Sequence, residues 1–175
     1  MDVFEAMQRR KSVRSYSGDL ADPDDLEKIL HFGMQAPIAM GRYEDMHITV
    51  VSDPAVLDAF EKHQSDLQGR EAHPFLGAPQ VIVVSIKPSG PEPLNMEYAN
   101  GGFVLENMSL AATALGLGSC VIYGVFRRAL SKPELFDLLD LPEGHQVLGG
   151  LALGKTEESF DLRDEAHRMG TTFLD

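Results

Sequence analysis

Cysteine is nearly absent. The single Cys120 cannot close an intramolecular disulfide, and a chain without a cysteine framework suits a reducing cytosol. Positive charge is scarce: 15 Lys and Arg stand against 27 Asp and Glu, a formal net charge of −12. That balance argues against nucleic acid and anionic membrane surfaces as partners. No apolar run is long enough to span a bilayer. The opening MDVFEAMQRR lacks the basic n-region and apolar h-region of a signal peptide, so a cytoplasmic location is expected. The six histidines, His31, His47, His63, His73, His145 and His167, show no metal-ligand spacing, and the lone cysteine adds none. There is no Gly-x-Ser-x-Gly elbow and no P-loop. Gly116-Leu117-Gly118-Ser119 follows a helix pattern and precedes a strand pattern, the reverse of the Rossmann turn. No internal repeat or low-complexity tract is present. At 175 residues one domain is the default, and a chain of that size buries roughly 70% of its unfolded surface without staples.

What the chain does have is a long apolar helix pattern leading into a strand. From Glu97 to Leu115, Ala99, Phe103, Val104, Met108, Ala111, Ala112 and Leu115 recur at helical spacing. Asn100, Glu106, Ser109 and Thr113 make a thin polar face. A helix this apolar is buried on most sides. Gly116 is placed to end it in the left-handed region. Ser119 to Tyr123 then reads as a core strand closed by Gly124, with Cys120 as packing rather than nucleophile.

The rest wraps this core. Asp2 caps a first helix with Val3, Phe4 and Met7 on one face. Asp22-Pro23-Asp24-Asp25 starts a second, with Leu26, Ile29, Leu30, Gly33 and Met34 as its buried stripe. Ala36-Pro37 stops it, and a loop from Ile38 to Asp45 leads to a strand over 46–51. Ser52 or Asp53 caps a helix containing Val56, Leu57 and Phe60. After a loop over 69–79, residues 80–86 are nearly all apolar, as in a strand covered on both faces. Ser131-Lys132-Pro133-Glu134 has capping-box spacing. Residues 146–153 read as a last strand, with Gly149-Gly150 marking a bulge or a close backbone approach. The polar segment 154–175 reads as an extended tail lying on a partner subunit. The pattern predicts helices over and under a sheet of five or so strands.

Charge singles out one site. Arg9, Arg10, Lys11 and Arg14 put four cations into six positions of a chain that would otherwise carry −16. If residues 12–16 are extended, Ser12, Arg14 and Tyr16 share a face while Val13 points inward. A hydroxyl beside a guanidinium suits a phosphate. The same cations could instead offset the dipole at a helix C-terminus, so two readings of the cluster stand.

Residues 9–16, Arg-Arg-Lys-Ser-Val-Arg-Ser-Tyr, resemble the opening motif of the FMN-dependent nitroreductases. Glu106 to Ala112, followed by Ala114-Leu115-Gly116-Leu117-Gly118-Ser119-Cys120, is similar to that family's central helix and turn. Leu141-Pro142-Glu143-Gly144 and Leu151-Ala152-Leu153-Gly154 resemble its C-terminal segment. The three stretches occur in the family's order. The resemblance implies an α+β fold, a three-layer α/β/α arrangement with a mostly antiparallel or mixed sheet around a buried central helix. It implies a homodimer with FMN at the interface, and NADH or NADPH as reductant of nitroaromatic, quinone or related small-molecule acceptors by a ping-pong mechanism.

By position, the resemblance puts Arg10 and Ser12 at the ribityl-phosphate end. Arg14, the catalytic candidate, lies near flavin N1 and the C2 oxygen, with Lys11 on the same edge. Val121, Ile122, Tyr123 and Gly124 pass the ring, and Lys155 or Arg163 meets the phosphate. Pro37, Ile38, Ala39 and Gly41 touch the partner's flavin. The loop departs from the family there: Ile38 stands for a Ser, Gly41 for an Asn, and Tyr43-Glu44-Asp45 for Gln-Pro-Trp. That departure keeps two alternatives open, a flavin-binding member with specialised activity and a dimeric core that has lost its cofactor.

Overall fold

The computed structural model describes residues 1–163 and 169–174. Nine regular elements occur among them: α1 (Val3–Arg9), α2 (Pro23–Gly33), β1 (Met46–Val51), α3 (Pro54–Gln68), β2 (Gln80–Ile86), α4 (Asn95–Ala114), β3 (Gly118–Ile122), α5 (Gly124–Ala129) and β4 (Gln146–Gly154). Three short 3₁₀ turns, Ala39–Gly41, Tyr43–Asp45 and Pro133–Leu139, complete them. The described strands form one antiparallel sheet of four, ordered β1-β2-β4-β3, rather than five.

Helices cover both faces of the sheet. Ile82, Val84, Ile86, Leu148, Leu151 and Leu153 pack under α2 and α4. Val81, Val83, Cys120, Ile122 and Ala152 pack under α3 and α5. Side chains of β2 therefore alternate between two cores, which is why its sequence shows no polar face. A bulge falls at Leu148, because Val84 pairs with Gly149 while Ser85 pairs with Val147. Gly116 follows α4 at φ +75°, the left-handed conformation its position demands.

The caps divide. Asp2 Oδ1 accepts the Glu5 N–H at 2.8 Å, and Asp53 Oδ1 accepts that of Ala55 at 2.9 Å. Asp22 makes no capping bond and instead meets Lys155 Nζ at 3.1 Å. No capping box forms at 131–134: the Ser131 hydroxyl donates to the Arg128 carbonyl at 2.8 Å, and the 3₁₀ turn that starts at Pro133 has no side-chain cap. Met34 is exposed, not part of the buried stripe of α2.

Polarity departs from expectation on part of α4, although Val104, Met108 and Ala112 are buried and Glu106 is exposed as expected. Asn100, Ser109 and Thr113 are buried, whereas Ala99 and Phe103 are exposed. The inward polar groups are satisfied: Ser109 Oγ lies 3.1 Å from Ser119 Oγ, and Thr113 Oγ1 donates to the Ser109 carbonyl at 2.9 Å. One chain thus leaves a stripe of α4 open through Ala99, Gly102, Phe103, Glu106 and Ala114. The exposed Val3, Phe4 and Met7 of α1 are likewise uncovered, with only Ala6 of that helix buried.

Residues 155–163 run back along the N-terminal segment of their own chain. Lys155 exchanges backbone hydrogen bonds with Ser17 and Asp19, both at 3.0 Å. Thr156 Oγ1 donates to the Ser15 carbonyl at 2.7 Å, Arg9 to the Phe160 carbonyl at 2.5 Å, and Arg163 to those of Met7 and Gln8 at 2.7 and 2.9 Å. Polar residues suffice here because backbone and side-chain hydrogen bonds, not apolar burial, hold the tail. His167 lies outside the described residues.

Candidate functional site

Val13 fixes the basic cluster. It is fully buried, and its N–H donates to the Ser119 carbonyl at 2.9 Å. Strand β3 is one of the two edges of the sheet, so residues 11–15 dock on that edge at its start and leave the end of β3 uncovered. In an antiparallel ladder alternate residues turn both backbone groups the same way. With Ser119 facing off the sheet, Val121 presents its N–H and C=O off it too. The Val121 and Tyr123 side chains beside this edge are each 45% exposed. The geometry brings Ser12 and Arg14 next to the strand that carries Val121 and Ile122 and leads into Tyr123 and Gly124.

Each cation of the cluster already meets a carboxylate or carbonyl. Arg10 Nε lies 3.2 Å from Glu106 Oε1 on α4, and Lys11 Nζ lies 2.8 Å from Glu158 Oε2. Arg9 pairs with Glu5 at 2.9 Å. The Arg14 guanidinium donates to the Ser12 carbonyl at 3.1 Å, and its backbone N–H donates to Glu158 Oε1 at 2.9 Å. The Lys11 ammonium, with the Arg14 and Ser15 N–H groups, holds the Glu158 carboxyl below the usual range, against a smaller opposing effect of burial. Tyr16 does not share the cluster's open face. It is half-buried, its hydroxyl donates to the Val13 carbonyl at 3.2 Å, and burial raises its pKa.

The tail cations separate. Lys155 is drawn to Asp22, away from the cluster. Arg163 sits over the last carbonyls of α1, two and three residues before Arg10.

The 38–45 loop lies elsewhere on α4. The Ala39 N–H donates to Asn100 Oδ1 at 3.1 Å. Asn100 and Glu106 are roughly 9 Å apart along the helix and about 120° apart around it. One chain therefore does not gather Pro37, Ile38, Ala39 and Gly41 with Arg10 and Arg14. Ile38 is buried, and with Met34, Tyr43, Met46, His47, Ile48, Val84 and Val104 it lines a largely apolar cavity of about 380 Å³. Of the loop's acids, Asp45 is paired with Arg42 at 2.5 Å, and Glu44 is exposed. Arg42 also reaches Ser89 and, at 3.6 Å, the buried Glu97. A second cavity, about 300 Å³, opens beside Tyr123, whose ring meets that of Tyr98 edge-on at 6.0 Å. Among the described residues no group of three metal-ligating side chains converges.

Comparison with known proteins identifies the family and the fold. A sequence model described as the nitroreductase family matches residues 7–155. The chain belongs to the nitroreductase family. An Archaeoglobus fulgidus member, assigned as an NADH dehydrogenase/NAD(P)H nitroreductase, is 34% identical over 168 residues, 96% of this chain and 93% of its own. A Bacteroides fragilis nitroreductase crystallised with bound FMN superposes with a TM-score of 0.82 at 30% identity, covering 99% of this chain and 98% of its own. A nitroreductase from Desulfitobacterium hafniense shares the fold, with a TM-score of 0.85 at 22% identity and full coverage of both chains.

The sequence of this nitroreductase-family chain assigned no site role to Glu106, Glu158, Asn100 or Ser119. All four touch the expected site residues or the segments that carry them. Glu106 and Glu158 are two carboxylates among 27 and carry no contrast in the sequence.

Proposed function

We propose that the chain is an FMN-dependent oxidoreductase that uses NADH or NADPH to reduce nitroaromatic, quinone or related acceptors in alternating half-reactions. Family membership makes it an oxidoreductase. The observation that carries the flavin reading is the docking of Val13 on Ser119, which sets the cationic segment against the open backbone edge of β3.

The residues present fit FMN. Arg10 and Ser12 offer a guanidinium and a hydroxyl to the phosphate, and Arg163 is the tail cation placed near them. Val121 turns its backbone N–H and C=O off the sheet toward the edge of a flat polar ring, the C=O also accepting from the Cys120 thiol at 3.7 Å, and Ile122, Tyr123 and Gly124 continue that wall. Arg14, with Lys11 beside it, supplies the cation that stabilises negative charge at N1 and the C2 oxygen. FMN, when bound, supplies the hydride and electron chemistry itself. The chain's part is to grip the phosphate and keep a fixed positive charge on the ring's pyrimidine edge.

The site is completed by a second copy. Pro37 to Gly41 lie on another side of α4 from Arg10, so they serve the partner's flavin in a homodimer. The uncovered stripe of α4, the exposed Val3, Phe4 and Met7, and the exposed Phe173 and Leu174 of the tail support such an interface. Among the described residues no helix is long and apolar enough to cross a membrane. With one cysteine in the chain, we place it in the cytoplasm.

The deciding experiment is an absorption spectrum before and after NADH or NADPH without oxygen. A yellow protein that bleaches supports the reading, and a colourless protein that takes up no FMN removes it. A second reading keeps the flavin but changes the acceptor. The apolar cavity lined by Ile38 and Val104 favours it, and robust turnover of a panel of nitro and quinone acceptors would remove it.

A further inference from the structure

Glu158 makes three close contacts with the cationic segment from outside it. Oε1 accepts the backbone N–H groups of Arg14 and Ser15 at 2.9 and 3.0 Å, and Oε2 meets Lys11 Nζ at 2.8 Å. The carboxylate is aimed by the tail. Thr156 Oγ1 accepts the Glu158 N–H at 3.1 Å and donates to the Ser15 carbonyl at 2.7 Å. With Val13 bonded to Ser119, these contacts pin both faces of one short loop. The Lys11 and Glu158 side chains are 34% and 29% exposed, so their ion pair adds little to global stability. Two charge-assisted bonds onto consecutive peptide N–H groups instead specify the path of the backbone.

We infer that Glu158 is a positioning residue, a buckle that holds residues 11–15 in the shape that presents Ser12 and Arg14 to the flavin and keeps Lys11 on the same edge. The inference rests on the flavin reading above for its consequence, but not for its geometry. Its carboxylate also places a fixed negative charge beside Lys11 and so offsets part of that cation's effect on bound flavin. Glu158→Gln keeps an oxygen for the two N–H groups and removes the charge. Glu158→Ala removes both.

The test reads backbone amide exchange by NMR, FMN affinity by flavin fluorescence, and flavin midpoint potential. In E158A the Arg14 and Ser15 amides should exchange about tenfold faster or more, and FMN should bind about tenfold more weakly, with the thermal midpoint near wild type. E158Q should keep the amide protection and most of the affinity, while raising the midpoint potential, because a negative charge near the ring has gone. Rescue by Gln, together with a shifted potential, is a pattern that general destabilisation would not produce. FMN binding as tight or tighter in E158A would overturn the inference and make the carboxylate a competitor for the anion site. Unchanged amide exchange in E158A would overturn it whether or not flavin binds. A wild-type chain that takes up no FMN would instead remove the flavin reading, and the amide exchange would still decide the buckle.

Discussion

Arg10 Nε lies 3.2 Å from Glu106 Oε1, so the cationic segment is tied to the middle of α4 as well as to the edge of β3. The two side chains are 26% and 50% exposed, and a pair that open to solvent stabilises by under about 1 kcal/mol. Arg10→Ala should therefore leave the urea midpoint nearly unchanged and loosen FMN by about tenfold, the worth of one charge-assisted phosphate contact. Arg14→Ala should instead slow flavin reduction more than it loosens FMN. Fluorescence titration and stopped-flow reduction by NADH separate the two, and equal effects of both variants on affinity and rate would contradict the separate roles.

Gly118 sits where the N-terminal segment and the tail both press on β3. A Cβ there would meet Val13 Cγ1 at 2.9 Å and Thr156 Cγ2 at 3.0 Å. Val13 is fully buried and cannot swing away. Gly118→Ala should cost about 1–3 kcal/mol in urea unfolding. It should also weaken FMN binding, because the strain falls on the loop that carries Ser12 and Arg14. Full stability with full affinity would show that the segment is not seated as described.

The sheet was largely legible in the chain, because long β-branched apolar runs mark covered strands. Residues 46–51 and 80–86 are strands as read. α5 was not legible. Six residues opening on a glycine, with no side-chain cap, give no periodic signal, whereas the capping pattern at 131–134 marks the separate 3₁₀ turn Pro133–Leu139 that follows it. Of the four polar residues expected on the outer face of α4, Asn100, Ser109 and Thr113 turn inward while Glu106 stays out, because polarity alone does not say whether a partner waits inside. Ser109 goes in because Ser119 meets it there. At the site, four cations stood out against an acidic chain, while the carboxylates that hold them were invisible against the same background.

Glu97 gives the fold an acid limit. Its carboxyl is 1% exposed and accepts from Leu94 N–H at 2.8 Å, Ser89 N–H at 3.0 Å and Ser89 Oγ at 2.8 Å. Burial alone would raise its pKa, but these donors, with Arg42, outweigh it and hold the folded value below the usual one. A depressed folded pKa gives stability that is present above the unfolded value, about 4.3, and is lost as pH falls through the folded one. Wild-type urea midpoints should therefore fall below about pH 4.5. Glu97→Gln should be less stable at neutral pH by about 1–3 kcal/mol, and flatter across the acid range. Parallel pH curves for the two proteins would remove this role.

Phe60 is the centre of the second core. It is 1% exposed and meets Phe75, Phe126 and Phe136 edge-on at 6.2, 5.9 and 6.2 Å. Truncation leaves a cavity that three rings on three different elements cannot close. Phe60→Ala should cost about 3–5 kcal/mol in urea unfolding. A cost under about 1 kcal/mol would mean that these rings repack freely.

Phe4 tests the dimer from the opposite direction, since removing surface apolar area should do nothing to a monomer. Its ring is 75% exposed on α1, beside Val3 at 56% and Met7 at 50%. α1 packs on α4 through Ala6, and α4 carries its own open stripe through Phe103. Uncovered apolar residues on two adjoining helices form a patch of the kind that self-association covers. Phe4→Glu puts a charge into that patch without touching a buried contact in the single chain. Sedimentation should show wild type as a dimer and the variant shifted toward monomer. On the proposed arrangement, in which Pro37 to Gly41 serve the partner's flavin, FMN should be lost with the dimer. A monomeric variant that keeps its flavin would show that one chain suffices for the site, and a wild-type monomer would remove the interface itself.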